Sequence, residues 1–214
     1  MNRHMATALL SIAYLPPVSY FAAMAKSGSA LIEVCENFQK QSYRTRARIA
    51  SASGMEFLSV PVLKGEGHKR PVSEIEIDYK RDWVLLHRRA LASYYGSAPF
   101  FLYYKDDIFS VLESRPRMLV DLNTSLTVLL LELLGIRCSV GVTCRYFPPD
   151  DPRVSGPDVH DFRYAIHPKK TTPPGMLCGG EYYQVFSEKY GFLPDLSAVD
   201  LLFNEGPNSI SFLK

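Results

Sequence analysis

Residues 6–35, ATALLSIAYLPPVSYFAAMAKSGSALIEVC, decide the fold. Ala6 to Ala13 is an apolar run of strand length, and Tyr14-Leu15-Pro16-Pro17 stops it because proline cannot donate to a ladder. Ser19 to Lys26 carries Phe21, Met24 and Ala25 at helical spacing, and Ser27-Gly28 ends that helix where glycine tolerates a left-handed backbone. Ala30 to Cys35 reads as a second strand. Strand, helix and strand in this order make a βαβ unit, whose strands pair in parallel. Ligands of open parallel sheets collect outside the carboxyl ends of the strands, where loops gather free N–H groups and helix N-termini. The loops at Tyr14 and Asn37 leave that edge first.

The second of these loops runs into Gln39–Val62, QKQSYRTRARIASASGMEFLSVPV. Lys40, Arg44, Arg46 and Arg48 precede a break at Gly54, and Phe57 to Val62 then reads as a buried strand. The planar fork of arginine suits phosphate and carboxylate, so arginines at the mouth of a sheet point to an anion pocket. The plainer reading is a solvated basic turn. If the third strand is also parallel, its exit Lys64 to Arg70 adds a basic, glycine-bearing loop, and three successive strands direct cations to one edge.

Farther along, Pro71 to Asp78 alternates well enough for a half-exposed strand. Asp82 can cap a helix over 82–95 in which Trp83, His87, Ala90, Leu91 and Tyr94 share a face. A histidine on such a face is commonly a hydrogen-bonded core residue, yet imidazole is also the common general base near neutral pH. Phe100 to Leu112 is a packing helix. Leu119 to Leu134 is apolar nearly all round, closed by Gly135 and expected to lie centrally against the sheet, with Asp121 and Asn123 as capping residues. Arg137 to Cys144 is strand-like again. The alternation predicts an α/β domain with a mostly parallel, Rossmann-like sheet.

Residues 1–145 form the predicted core. Tyr146 to Gly180 is rich in proline and glycine, with one short candidate strand at Phe162 to Ile166, and reads as an ordered loop or lid. Residues 181–214 form a C-terminal helical segment on the same domain, with a helix at Glu181 to Tyr190 and a capping box from Ser197 to Asp200, so Asp200 reads as a capping acid.

A chain of 214 residues that is 47% apolar can build a full core, and a net charge of +2 is too small to imply a nucleic-acid partner. No run spans a bilayer, and the first residues lack the apolar region of a signal peptide, so a cytoplasmic protein without membrane insertion is expected. Cys35, Cys138, Cys144 and Cys178 make no paired motif and are expected as reduced, buried thiols. Asp158, His160 and His167 are metal-ligand types, but their spacing matches no strong pattern, and no metal is expected. The sequence names no cofactor.

Several motifs together resemble the WbqC-like family over nearly the whole chain. They are Tyr14-Leu15-Pro16 with Tyr20-Phe21; Ser42-Tyr43 with Arg46 and Ile49; Val60-Pro61-Val62 with Lys64-Gly65; Trp83, His87 and Tyr94; Leu122-Asn123; Tyr183-Gln184-x-Phe186; and Leu196-Ser197-x2-Asp200 running through Asn204-x-Gly206-Pro207. The chain departs from the family pattern at Ser11, Thr45 and Ala47, where amide side chains are usual. A further departure is Asp161-x-Arg163, which stands where many members carry a Gly- and Tyr-rich segment. The resemblance implies surface-polysaccharide (O-antigen) biosynthesis and transfer of glycine or another acyl group onto a sugar.

The expected site follows from both readings. His87 is the candidate general base. Asp161 is a second catalytic candidate that closes the lid with Arg163. Arg46, Arg48 and Lys64 hold donor anions, and Tyr14, Lys169, Tyr183, Gln184, Asp200 and Asn204 complete the binding set. The ligand is a small sugar or carrier-linked molecule. Two other readings stay open: a nucleotidyltransferase, although no Gly-rich fingerprint or phosphate-cradling Lys-Ser/Thr motif is present, and a non-catalytic accessory subunit of a polysaccharide assembly complex. The sequence leaves the oligomeric state open.

Overall fold

Thr7–Ser11 (β1) is an inner strand of a four-stranded parallel sheet, and Ala8, Leu9 and Leu10 are fully buried, as a strand covered on both faces requires. The structure is a computed structural model that describes residues 6–63, 70–172, 176 and 180–214. From β1 the chain passes through helix Val18–Ser27 (α1) to Ser29–Glu33 (β2), which pairs with β1 in parallel, Ala8 opposite Ala30. Gly28 ends α1 at φ 68° with its N–H on the Met24 carbonyl. The βαβ unit stands as read.

The expected third parallel strand does not. Arg46–Ser51 (β3) and Gly54–Ser59 (β4) form a separate antiparallel hairpin, with Arg46 opposite Ser59 and Ser51 opposite Gly54. Two residues, Ala52 and Ser53, join them, and so short a link can connect only antiparallel neighbours. Arg46 and Arg48 therefore lie on a strand, on one face of it, instead of in a loop. Backbone bonds dock the hairpin beside the sheet: Tyr14 N–H donates to the Tyr43 carbonyl and Ser197 N–H to the Arg48 carbonyl, each at 2.8 Å.

Residues 71–78 are likewise not a strand. Val72–Glu74 is one 3-10 turn, and Glu76 and Ile77 make only isolated bridges. Val72, Ile75 and Ile77 are all buried, so the two faces that alternation separates are both covered. Helices Trp83–Tyr95 (α2), Phe101–Glu113 (α3) and Leu119–Leu133 (α4) follow, α2 capped by the Asp82 carboxylate on Leu85 N–H. The main neighbours of α4 are α3 and the Val72–Glu74 turn, not the sheet. Its N-cap position is Met118; Asn123 is fully buried one turn in and donates to the Arg44 carbonyl at 2.8 Å.

Ser139–Val142 (β5) pairs with the outer side of β2, and Val159–Asp161 (β6) with the free side of β1, both parallel. The sheet order is β5-β2-β1-β6. β6 precedes the expected strand at 162–166 because Phe162 still donates to the Leu9 carbonyl, but Ala165 and Ile166 then turn back onto Phe162. The expected helix at 181–190 shrinks to Ser187–Tyr190 (α5). Upstream, the Tyr182 ring packs against Phe192 and Phe212, and the Gln184 amide bonds both the N–H and the carbonyl of Leu193, which closes a loop. Ala198–Glu205 (α6) is capped by Ser197 and ends at Gly206, φ 53°, where a Cβ would meet the Phe100 ring; a 3-10 helix, Gly206–Phe212, completes the fold.

Among the described residues no helix is long and apolar enough to cross a membrane. Cys35, Cys138 and Cys144 are free, the first two half-buried and the third exposed rather than buried, and Cys178 lies outside the described residues.

Candidate functional site

β1 has β2 on one side and β6 on the other, and the chain leaves β1 toward β2, so a crevice opens at the carboxyl edge between β1 and β6. The rim of this crevice is ionic. Glu33, at the end of β2, is fully buried and accepts from Thr143 Oγ1 at 2.7 Å, Cys35 N–H at 2.8 Å and Phe147 N–H at 3.3 Å. Arg163 follows β6 and reaches it with Nη1 at 3.4 Å. Its other nitrogens clasp Asp161, Nη2 at 2.7 Å and Nε at 3.0 Å, and Nη1 also donates to the Phe147 carbonyl at 2.6 Å. Arg163 is 3% exposed, and its charge is spent tying the exit of β6 to the exit of β2.

A second buried pair, Arg44 and Glu36, lies alongside, and Arg44 Nη2 also donates to Ser11 Oγ at 3.0 Å. A pocket of about 10 Å³ beside them is lined by Ser11, Tyr20, Tyr43, Arg44 and His167. Among the described residues, Tyr20 Oη, Tyr43 Oη and Arg44 Nε are buried with no hydrogen-bond partner.

An open cleft of about 380 Å³ is lined by Arg48, Pro168, Lys169, Lys170, Thr172 and Asp195. Arg48 donates to the Pro168 carbonyl and faces the Tyr43 ring at 5.8 Å, and Lys170 Nζ reaches the Tyr164 carbonyl at 2.8 Å. The His167 pKa is lowered by burial first, then by Arg44, Lys170, Lys169 and Arg48. Its Nδ1 accepts from Lys169 N–H at 3.1 Å. Four cations thus bear on one imidazole whose Nδ1 is already an acceptor, an arrangement that attracts anions.

The N-terminus of α1 lies at this cleft but is already filled. The Asp195 carboxylate, 4% exposed, accepts Ser19 N–H at 2.9 Å, Ser19 Oγ at 3.0 Å and Thr172 Oγ1. The protein's own anion occupies the helix end that a mononucleotide-binding fold offers to phosphate.

His87 lies elsewhere. It is 5% exposed, against Trp83 with ring centroids 5.0 Å apart, and Nδ1 meets the hydroxyl of the fully buried Tyr14 at 2.8 Å. Burial pulls its pKa down to about 4, opposed by a hydrogen bond to the Ser59 carbonyl. That bond occupies the other nitrogen, so Nδ1 accepts the Tyr14 proton, and both nitrogens are engaged. Tyr14→Phe is expected to lower stability by about 1–3 kcal/mol, because it strands the imidazole acceptor, and to leave phosphate affinity unchanged. Urea denaturation and calorimetric titration check the two halves, and a change in affinity would return the pair to the site.

The other expected residues separate. Arg46 stacks over Phe57 at 5.8 Å and lines neither cavity. Lys64 is outside the described residues. Asp200 is fully buried, its Oδ2 accepting from Tyr182 Oη at 2.6 Å and Gln184 Nε2 at 3.1 Å, while Asn204 donates to the Asp200 carbonyl at 2.7 Å. Asp200 is thus not a capping acid but the hub of a buried network. Tyr183 is exposed, with its N–H on Glu205. Among the described residues no group of side chains could hold a metal ion. What the sequence left unassigned is Arg44, His167, Lys170 and Asp195. Arg44 was visible in the basic run, but no local signal marks Asp195, whose partners lie in α1 and at Thr172.

The family model of the WbqC-like protein family matches residues 13–153, and the chain belongs to that family. It is 26% identical to the uncharacterised protein Rv1507c of Mycobacterium tuberculosis, over 97% of this chain and 96% of the relative. No solved structure matches it.

Proposed function

We propose that this WbqC-like chain is a transferase of surface-polysaccharide assembly that moves an acyl or aminoacyl group onto a hydroxyl or amine of a sugar or carrier-linked acceptor. The convergence of Arg44, Arg48, Lys169 and Lys170 around His167 carries the reading. Cations fixed in a cleft concentrate an anionic donor and stabilise the charge of its leaving group. In this proposal the acceptor proton passes to the departing anion of the donor, because the nitrogens of His87 are both engaged and Nδ1 of His167 already accepts from Lys169 N–H. Arg163 and Asp161 act by holding the rim. The filled N-terminus of α1 favours this reading over nucleotidyl transfer.

Calorimetric titration with inorganic phosphate tests it. Wild type binds with proton uptake, because an anion raises the His167 pKa. Arg48→Ala weakens binding by about tenfold or more, the worth of a charge-assisted hydrogen bond. His167→Gln keeps the binding and loses the proton uptake. Undetectable phosphate binding, or an Arg48→Ala affinity equal to wild type, overturns the reading.

A further inference from the structure

An uncharged acceptor needs a surface other than the cationic cleft. Of the exposed aromatic side chains among the described residues, Tyr146 and Tyr164 are the pair that meet, hydroxyl to hydroxyl at 3.4 Å. They come from opposite edges of the sheet: Tyr146 follows β5 and Tyr164 follows β6, each beyond the carboxyl end of its strand. The Arg163 guanidinium, tied to Glu33 at the end of β2, sits over one face of each ring, 6.0 Å from the centre of Tyr146 and 5.7 Å from that of Tyr164. That guanidinium is fully enclosed while the tyrosines are 42% and 39% exposed, so what they show to solvent is the side turned away from it. Asp161 and the Phe147 carbonyl hold Arg163 in turn, and the aromatic surface is thus fixed before a ligand arrives. Burial, then the bond to Tyr146, pushes the Tyr164 pKa up to about 12, which keeps that hydroxyl neutral and able both to donate and to accept.

Resting on the transferase reading, we infer that Tyr146 and Tyr164 are the binding platform for the acceptor, and that what they hold is a hexopyranose ring. The two surfaces match in chemistry. A pyranose carries axial C–H groups on its faces and hydroxyls round its rim, and each tyrosine offers an apolar ring with a hydroxyl at its tip. Stacking removes both apolar faces from water, while the sugar hydroxyls stay solvated or bond the phenols. An open surface of this kind also admits a sugar joined to a larger carrier. The platform adjoins the cleft, because Lys170, which lines the cleft, donates its Nζ to the Tyr164 carbonyl at 2.8 Å. The acceptor ring thus lies beside the cations that hold the donor. A nucleobase stacks on phenol rings as well, but Asp195 fills the helix end that receives nucleotide phosphates in folds of this kind.

Saturation-transfer NMR with methyl β-D-glucopyranoside tests the platform, and sorbitol, an open-chain polyol with no ring face, is the comparison. Wild type is expected to transfer saturation to the axial ring protons of the glucoside and far less to sorbitol. Tyr146→Leu and Tyr164→Leu keep an apolar side chain over Arg163, and with it the fold, which urea midpoints check. Each is expected to weaken glucoside binding by about fivefold or more, because the stacked area is lost. Tyr146→Phe and Tyr164→Phe, which keep the ring, retain most of the binding. Transfer to the glucoside no greater than to sorbitol, leucine variants that bind it as wild type does, or adenosine bound at the tyrosines in place of the glucoside overturns the inference. Wild type that binds the glucoside but not inorganic phosphate leaves the sugar site standing and overturns instead the anion site of the transferase reading.

Discussion

Arg163→Met is expected to lower the unfolding free energy by about 3–5 kcal/mol, one of the largest effects of any single substitution in this chain. The guanidinium side chain is fully enclosed and shared among the Asp161 carboxylate, Glu33 and the Phe147 carbonyl. Removing it leaves the Glu33 carboxylate, also fully enclosed, without its cation, and strands the Phe147 carbonyl. Glu33 retains Thr143 and two backbone donors, so the loss is less than that of a bare buried charge. Lys169→Met, in the open cleft, provides the control and should stay within about 0.5 kcal/mol of wild type. A double-mutant cycle with Glu33→Gln should return a coupling of about 1 kcal/mol or more. Were Arg163→Met as stable as the Lys169 variant in urea denaturation, the clasp across the sheet edge would have no structural weight.

The second large effect is a pH dependence centred on Asp200. Burial raises its pKa from the ordinary 3.8 to about 6, against the hydroxyls of Tyr182 and Tyr95 and the Gln184 amide, which favour the charged form. A carboxyl whose folded pKa is raised binds more protons folded than unfolded. Its contribution is therefore fully present below pH 4 and is lost as the pH rises through 6. Two pH units correspond to about 3 kcal/mol. Asp200→Asn cannot titrate, so the variant should gain stability relative to wild type by about that amount between pH 4 and pH 7. Urea titrations at the two pH values measure it. Parallel curves would mean that the carboxyl titrates alike in the folded and unfolded chains.

Both predictions concern residues whose importance the sequence marked without revealing its kind. Asp161-x-Arg163 stood out in a proline-rich stretch as a lid closure, and Asp200 as a capping acid. Each description rested on near neighbours, whereas Glu33 is 130 positions from Arg163 and Tyr95 belongs to a different helix from Asp200. His87 shows the same limit. Its helix, its buried face and its aromatic neighbour Trp83 were legible from three- and four-residue spacing, but the partners that engage its nitrogens, Tyr14 and Ser59, come from loops and a strand elsewhere in the chain.

The βαβ unit, the helices α1 to α4, the glycine stops of α1 and α4 and the strand β5 were set by the sequence alone. Each rests on hydrophobic period, proline exclusion or a left-handed glycine, and these act within a few residues. The hairpin that replaced a parallel strand also had its cause in the sequence, in the two-residue link at Ala52-Ser53. Only the tertiary structure decided that β6 lies beside β1, that Arg44 and His167 line one pocket at this edge, and that Arg48 and Lys169 line the cleft next to it. Pairing across more than a hundred residues depends on which surfaces remain uncovered once the local elements have packed, and no short-range periodicity records that choice.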